Sequence, residues 1–164
     1  MDQDKQYRYI KNYEILIKRA NLSEYEYPLG ESAFNTPAAI KVAKRLIGRS
    51  IQERFLIFMY DDTRKIIGYA DINKGSTNRT NVDMHSCLRT ALIAGANFLC
   101  LCHNHPNGNL SFSEDDVKTT KVFISAGKIL GIEIMDHILV NDEDGISMRE
   151  RIGEEKWIQA QLSL

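Results

Sequence analysis

His103, His105 and Asp116 are the residues whose types and spacing could do chemistry. They lie in Cys100–Asp116, CLCHNHPNGNLSFSEDD, which packs two imidazoles, a tight turn, a helix cap and several carboxylates into seventeen residues. Two imidazoles and one carboxylate with a coordination position left open are the usual make-up of a catalytic zinc site, three protein ligands plus a water. A plainer chemistry fits some of the same residues. Ser113-x-x-Asp116 also reads as a capping box, and a histidine at a strand end is often just a hydrogen-bonded residue.

The elements that must position these side chains follow from the local pattern. Asn97–Cys102 (NFLCLC) is short, apolar and flanked by turn formers, which fits a buried strand. If the strand runs on, its period of two puts His103 and His105 on one face and Cys100, Cys102 and Asn104 on the other. Pro106 cannot donate to a ladder and Asn107-Gly108 favours a turn, so the strand should stop at His105 and the chain should loop to Phe112. Ser113 then caps a helix, placing Asp116 in its first turn, where a carboxylate suits the positive end of the helix dipole. A helix start folded back over the strand end would bring Asp116 to the histidines.

The segment resembles a known family. His103-Asn104-His105-Pro106 with Ser113-x-x-Asp116 is similar to the JAMM motif of the JAB/MPN metalloproteases. Asn104 between the histidines, with Leu130-Gly131-Ile132-Glu133 and Asp136-His137 further on, resembles more specifically the RadC-like JAB domain. The likeness runs from Thr36-Pro37 to about Val140. It implies Zn²⁺ held by His103, His105 and Asp116, and hydrolysis of a peptide or isopeptide bond by a zinc-activated water. It points upstream to Glu53, in Gln52-Glu53-Arg54-Phe55, as general acid/base, and to Ser113 for steadying the oxyanion, a role that competes with capping for one hydroxyl. The RadC branch also carries an association with DNA repair, so a DNA-repair protein or metal-dependent nuclease is an alternative, as is a zinc-containing binding module without turnover. Two histidines and one carboxylate suit zinc better than the oxygen-rich sites of such nucleases. Where RadC proteins usually place prolines before the serine, this chain has Asn107, Asn109, Leu110, Ser111 and Phe112, which predicts a freer loop.

The rest of the chain frames this site. At 164 residues, 43% hydrophobic and 26% charged, it has the size and composition of one domain with a real core. A net charge of -1 gives no electrostatic footprint for nucleic acid, which stays open only through a local basic patch; a peptide or protein substrate is the partner that the resemblance implies. The apolar runs are too short to span a bilayer and the start MDQDKQ is unlike a signal peptide, so no membrane partner and a cytoplasmic location are expected. Nothing in the sequence sets an oligomeric state. Cys87, Cys100 and Cys102 form no CxxC pair and fit a reducing compartment, with Cys100 and Cys102 as buried small hydrophobes.

Residues 1–35 read as an N-terminal extension, too short for the larger helical domain that RadC proteins commonly carry ahead of the JAB domain. Residues 36–150 read as the domain and 151–164 as a C-terminal tail. Thr36 caps a helix opened by Pro37 and ended by Gly48. Gln52–Tyr60 and Ile66–Ile72 form a hairpin, Gly75–Asn78 a loop, and Asp83 caps a helix with Leu88, Leu92 and Ile93 on one side. A third helix, Glu114–Leu130, stops at Gly131, and Ile132–Val140 pairs with Ile146–Met148. This order predicts a single-domain α/β fold, a mixed β-sheet sandwiched by helices, which is the JAB/MPN (cytidine-deaminase-like) architecture that the resemblance implies. His85 reads as structural, and His137 as a satisfied core histidine or an outer support of the metal site.

Overall fold

A computed structural model of the chain describes residues 34–72 and 82–162. The expectations for residues 1–33 and for the loop at Gly75–Asn78 lie outside the described residues. In chain order the elements are α1 (Thr36–Ile47), β1 (Phe55–Tyr60), β2 (Ile66–Asp71), α2 (Met84–Ala94), β3 (Phe98–Asn104), α3 (Glu114–Leu130), β4 (Glu133–Val140), β5 (Gly145–Ser147), α4 (Met148–Ile152) and α5 (Glu154–Leu162). The strands form one sheet in the order β2-β1-β3-β4-β5. Only β3 and β4 run parallel, with α3 as the crossover between them, so the sheet is mixed as expected.

Both faces of this sheet are covered, which explains why β1 and the first five residues of β3, Phe98 to Cys102, run apolar without alternating. On one face Leu56, Phe58, Tyr60, Cys100 and Cys102 pack against Ala39, Val42, Ala43 and Ile47 of α1. On the other, Phe55, Ile57, Leu99 and Leu101 pack against α2, α3 and Trp157 of α5. The alternation along β3 therefore sends Leu99, Leu101 and His103 towards α2 and α3, and Cys100, Cys102 and Asn104 towards α1. The two cysteines face away from the histidine, as expected.

α3 matters most for the site, because it carries Asp116 over the end of β3. Its start is a full capping box between Ser113 and Asp116, and its end is Gly131 at φ 70°, a left-handed position that favours glycine. Gly127 faces the start of β4, and a Cβ there would fall on the backbone carbonyl oxygen of Ile132. Backbone cannot step aside as a side chain can. Gly127→Ala should therefore lower stability by about 3 kcal/mol despite its better helix propensity, measured as a fall in denaturant midpoint.

Several local readings need correction. The cap of α1 is Asn35, whose side chain accepts from Ala38 N–H at 3.0 Å; the Thr36 hydroxyl is buried and donates instead to Asp136 at 3.3 Å. On α2 the buried stripe is Cys87, Leu88 and Ala91, while Leu92 and Ile93 are largely exposed, because the helix lies on the sheet with a narrower face than its apolar content suggested. β1 begins at Phe55, not Gln52, since Asn104 occupies the backbone groups that would have paired there. Residues 151–164, set apart as a tail in the sequence reading, contain α5, whose Trp157 is buried in the core and whose Gln161 donates to the Ile134 carbonyl at 2.6 Å. No helix among the described residues is long and apolar enough to cross a membrane.

Candidate metal centre

β3 ends at Asn104, and His103 is its last inward-facing residue, 1% exposed. His105 follows directly, at the start of the loop, and keeps 17% of its side chain exposed. Asp116 sits in the first turn of α3 with 14% of its side chain exposed. The three offer donor atoms that all lie within 4.8 Å of one another. His103 Nε2 is 3.1 Å from His105 Nε2 and 3.2 Å from Asp116 Oδ1, and His105 Nε2 is 3.5 Å from Asp116 Oδ2.

The ring nitrogens facing away from this point decide what faces it. His105 Nδ1 lies 3.0 Å from the Asn109 carbonyl, which can only accept, so Nδ1 carries a proton and the neutral form of the ring has its lone pair on Nε2. Thr120 Oγ1 donates to the Asp116 carbonyl at 2.7 Å, so across its 2.6 Å contact with His137 Nδ1 it must accept. Burial, with the neighbouring His103 adding to it, pushes the His137 imidazole well below its ordinary pKa and keeps it neutral. Its Nε2, 2.9 Å from His103 Nδ1, then accepts, and His103 Nε2 is bare as well. Two lone pairs and a carboxylate converge on one point.

The carboxylate is ionised. The Ser113 hydroxyl and backbone N–H both donate to Asp116 Oδ2 and favour its charged form. Both Ser113 groups reach Asp116 Oδ2 at 2.7 Å, and Ser113 Oγ accepts from Asp116 N–H at 3.1 Å. The capping box and the aiming of Asp116 are thus one structure, and the Ser113 hydroxyl proton is already engaged on the carboxylate.

These donors fit a small, borderline-soft cation. A tetrahedron with zinc–ligand bonds of roughly 2.0–2.1 Å has edges of about 3.3–3.4 Å; the two imidazole nitrogens stand 3.1 Å apart, and Asp116 approaches His103 through Oδ1 and His105 through Oδ2. Two imidazoles and a carboxylate are also a zinc-type donor set.

The loop that carries His105 is tied down rather than free. Gly108 N–H closes a turn on the His105 carbonyl at 2.9 Å, Asn107 accepts from Asn109 N–H at 3.0 Å, and Asn141 donates to the Gly108 carbonyl at 2.9 Å. Asparagine side chains hold here what prolines would otherwise stiffen, which corrects the expectation of a looser loop.

Glu53 lies outside the strand, is exposed, and no hydrogen bond or ion pair joins it to the three residues among those described. Its place is still defined. The β1–β3 pairing ends at Phe55 opposite His103, and Arg54 is bonded to Asn104 just beyond it, which leaves Glu53 one residue outside the paired backbone at the end of the sheet that carries the histidines. Asn104, on the far side of the strand from the histidines, donates to the Ser50 and Gln52 carbonyls at 3.1 and 3.2 Å and accepts from Arg54 N–H at 2.9 Å. Arg54 in turn grips Asp71 and the Leu46 carbonyl. Sequence reasoning missed this bracket, and Thr120 too; a threonine one turn beyond Asp116 on the buried stripe of α3 was the available signal. His85 is exposed on α2 and takes no part. Asp136 is not a partner for the His137 ring: alternation along β4 turns it to the opposite face, where it meets Thr36 and Ser147.

A mixed sheet between helices, with a His-x-His strand end facing a carboxylate on the next helix, defines a domain of the JAB/MPN type with a candidate metal centre. The family model of the RadC-like JAB domain matches residues 34–154, and the chain belongs to that family. It is 37% identical over 100 residues to a UPF0758 protein of Caldanaerobacter subterraneus, covering 61% of this chain and 43% of that one. To a UPF0758 protein of Clostridium perfringens it is 33% identical over 139 residues, covering 83% of this chain and 59% of the relative. The chain thus spans about half the length of the curated relatives it matches.

Proposed function

We propose that this chain is a zinc-dependent hydrolase of the JAMM type that cuts peptide or isopeptide bonds. The observation that carries the reading is the convergence of two imidazole nitrogens, 3.1 Å apart, and a carboxylate whose two oxygens each face one of them. A cation would satisfy both Nε2 atoms, whose rings are already hydrogen-bonded through Nδ1. Zinc bound there would supply Lewis acidity and bring the pKa of a water towards neutrality.

The chain's own residues do the rest. His103, His105 and Asp116 hold the metal, leaving one position open. Glu53, two residues ahead of β1, takes the proton of the attacking water and passes it to the leaving amine. Ser113 keeps Asp116 aimed, and can turn to an oxyanion only by giving up its bond to that carboxylate.

The test is metal content. Untagged protein should carry about one zinc per chain, and His105→Ala and Asp116→Ala should lose it while keeping wild-type circular dichroism. A folded wild type that takes up no zinc, even on addition, would end this reading.

A further inference from the structure

His137 sits behind the cluster with no exposure, on β4, two strands away from β1 and next to β3 in the sheet. It touches no substrate space, and its ring is enclosed by Phe55, Phe112 and His103. Three hydrogen bonds run through it in one direction. Thr120 Oγ1 donates to the Asp116 carbonyl, His137 Nδ1 donates to Thr120 Oγ1, and His103 Nδ1 donates to His137 Nε2. The direction is fixed at its far end, because a carbonyl oxygen cannot donate. Each proton in the chain is then assigned by the one before it.

We infer that His137 is a positioning residue, set by Thr120, that selects the tautomer of His103 and so turns the Nε2 lone pair of His103 towards the metal. The inference rests on the metal reading above but concerns the protein before any ion arrives. A neutral imidazole left to itself populates both tautomers, and the one with the proton on Nε2 cannot ligate through that atom. Here a hydrogen bond of 2.9 Å on the other nitrogen holds the Nδ1–H form against the pull of Asp116 Oδ1, 3.2 Å from Nε2. The same chain joins two ligands through the core, since Thr120 back-bonds to the residue that supplies the carboxylate. Metal-binding histidines are commonly oriented by an outer partner of this kind, most often a carboxylate or a carbonyl. In this chain the partner is a second imidazole. An imidazole can play that part only while a third group holds its own proton on the far side, and that group is Thr120.

The test separates the tautomer from the metal. Long-range proton–nitrogen NMR on metal-free wild type should show His103 protonated on Nδ1. His137→Phe and Thr120→Val, which keep shape but lose the acceptor or the anchor, should show a mixed population or the Nε2–H form. Zinc affinity, measured by chelator competition, should fall roughly 10–100-fold in both, with Thr120→Ser close to wild type. Thermal melts identify any variant that has failed to fold, and Thr120→Val carries the test if His137→Phe does so. An Nε2–H form of His103 in the wild type, or wild-type tautomer in folded Thr120→Val, would overturn the inference. So would wild-type zinc affinity in either folded variant. If the wild type binds no zinc, the proposed function fails, and the metal-free NMR still decides the tautomer.

Discussion

Glu53→Gln is expected to lower hydrolysis of a cleavable peptide or isopeptide substrate by about 10²–10⁴-fold, the usual contribution of a positioned general base. Zinc content and melting temperature should stay at wild-type values. Glutamine keeps the size and the hydrogen bonding of the side chain but cannot take a proton at neutral pH. The side chain is exposed and bonded to none of the described residues, so its loss should cost the fold little. What defines its place is the backbone beneath it, bracketed by Asn104 and Arg54. The measurement is kcat/KM beside metal content in the same preparations. A variant with zinc bound and activity within a few-fold of wild type would remove Glu53 from the reaction. A zinc-loaded wild type that cleaves nothing in a broad peptide and isopeptide panel would favour a binding module.

Asp136→Ala should be among the most damaging changes to the fold, at about 4 kcal/mol, because one buried carboxylate satisfies four donors. The Ser147 hydroxyl reaches it at 2.6 Å, the His137 N–H at 2.7 Å, the Arg149 N–H at 3.1 Å and the Thr36 hydroxyl at 3.3 Å. It joins α1, β4, β5 and α4 around one side chain. Asp136→Asn should cost far less, since both hydroxyls can rotate to accept from an amide. Burial is the main influence on this carboxyl and raises its pKa, against the opposing pull of Ser147 and the two backbone N–H groups. The folded state therefore favours the neutral acid, and stability is lost as pH rises from the unfolded carboxyl range through the raised folded value. Asparagine carries no such charge. The stability of Asp136→Asn relative to wild type should accordingly improve as pH rises through that window. Denaturant melts of both proteins at several pH values read the difference directly, and a gap that widens against asparagine would refute the assignment.

The fold was legible where the pattern was local and strong. The apolar run before His103, the cap at Ser113, the stops at Gly95 and Gly131 and the order of strands and helices were all readable, because turn chemistry and periodicity act over a few residues. The cluster of His103, His105 and Asp116 was legible for the same reason: strand, turn and helix cap are contiguous. What stayed hidden depends on distant pairing. Nothing near Thr120 in sequence announces His137, and nothing near Asn104 announces Ser50, Gln52 and Arg54. The start of β1 was misjudged for that reason, since residues with strand-like character lost their backbone partners to an asparagine from fifty residues on. The face of α2 was misjudged because apolar content does not say how much of a helix the sheet covers. The freer loop expected from missing prolines overlooked what asparagine side chains can bond.

The strand that ends at the candidate centre also holds two thiols. Cys100 and Cys102 are fully buried on the α1 side, and burial raises both well above the ordinary thiol value. Neither offers a thiolate. The separation depends on a single strand register, because a slip of one residue would exchange the sides and present Cys102 where His103 now stands. The site would then offer sulfur in place of an imidazole nitrogen and prefer softer ions such as Cu(I). The bulge between Leu99 and Cys100 in the pairing with β4, and the Asn104 side chain clasping the segment ahead of β1, fix that register from both neighbouring strands. Alignment of β3 thus decides during folding which donor atoms reach the candidate centre.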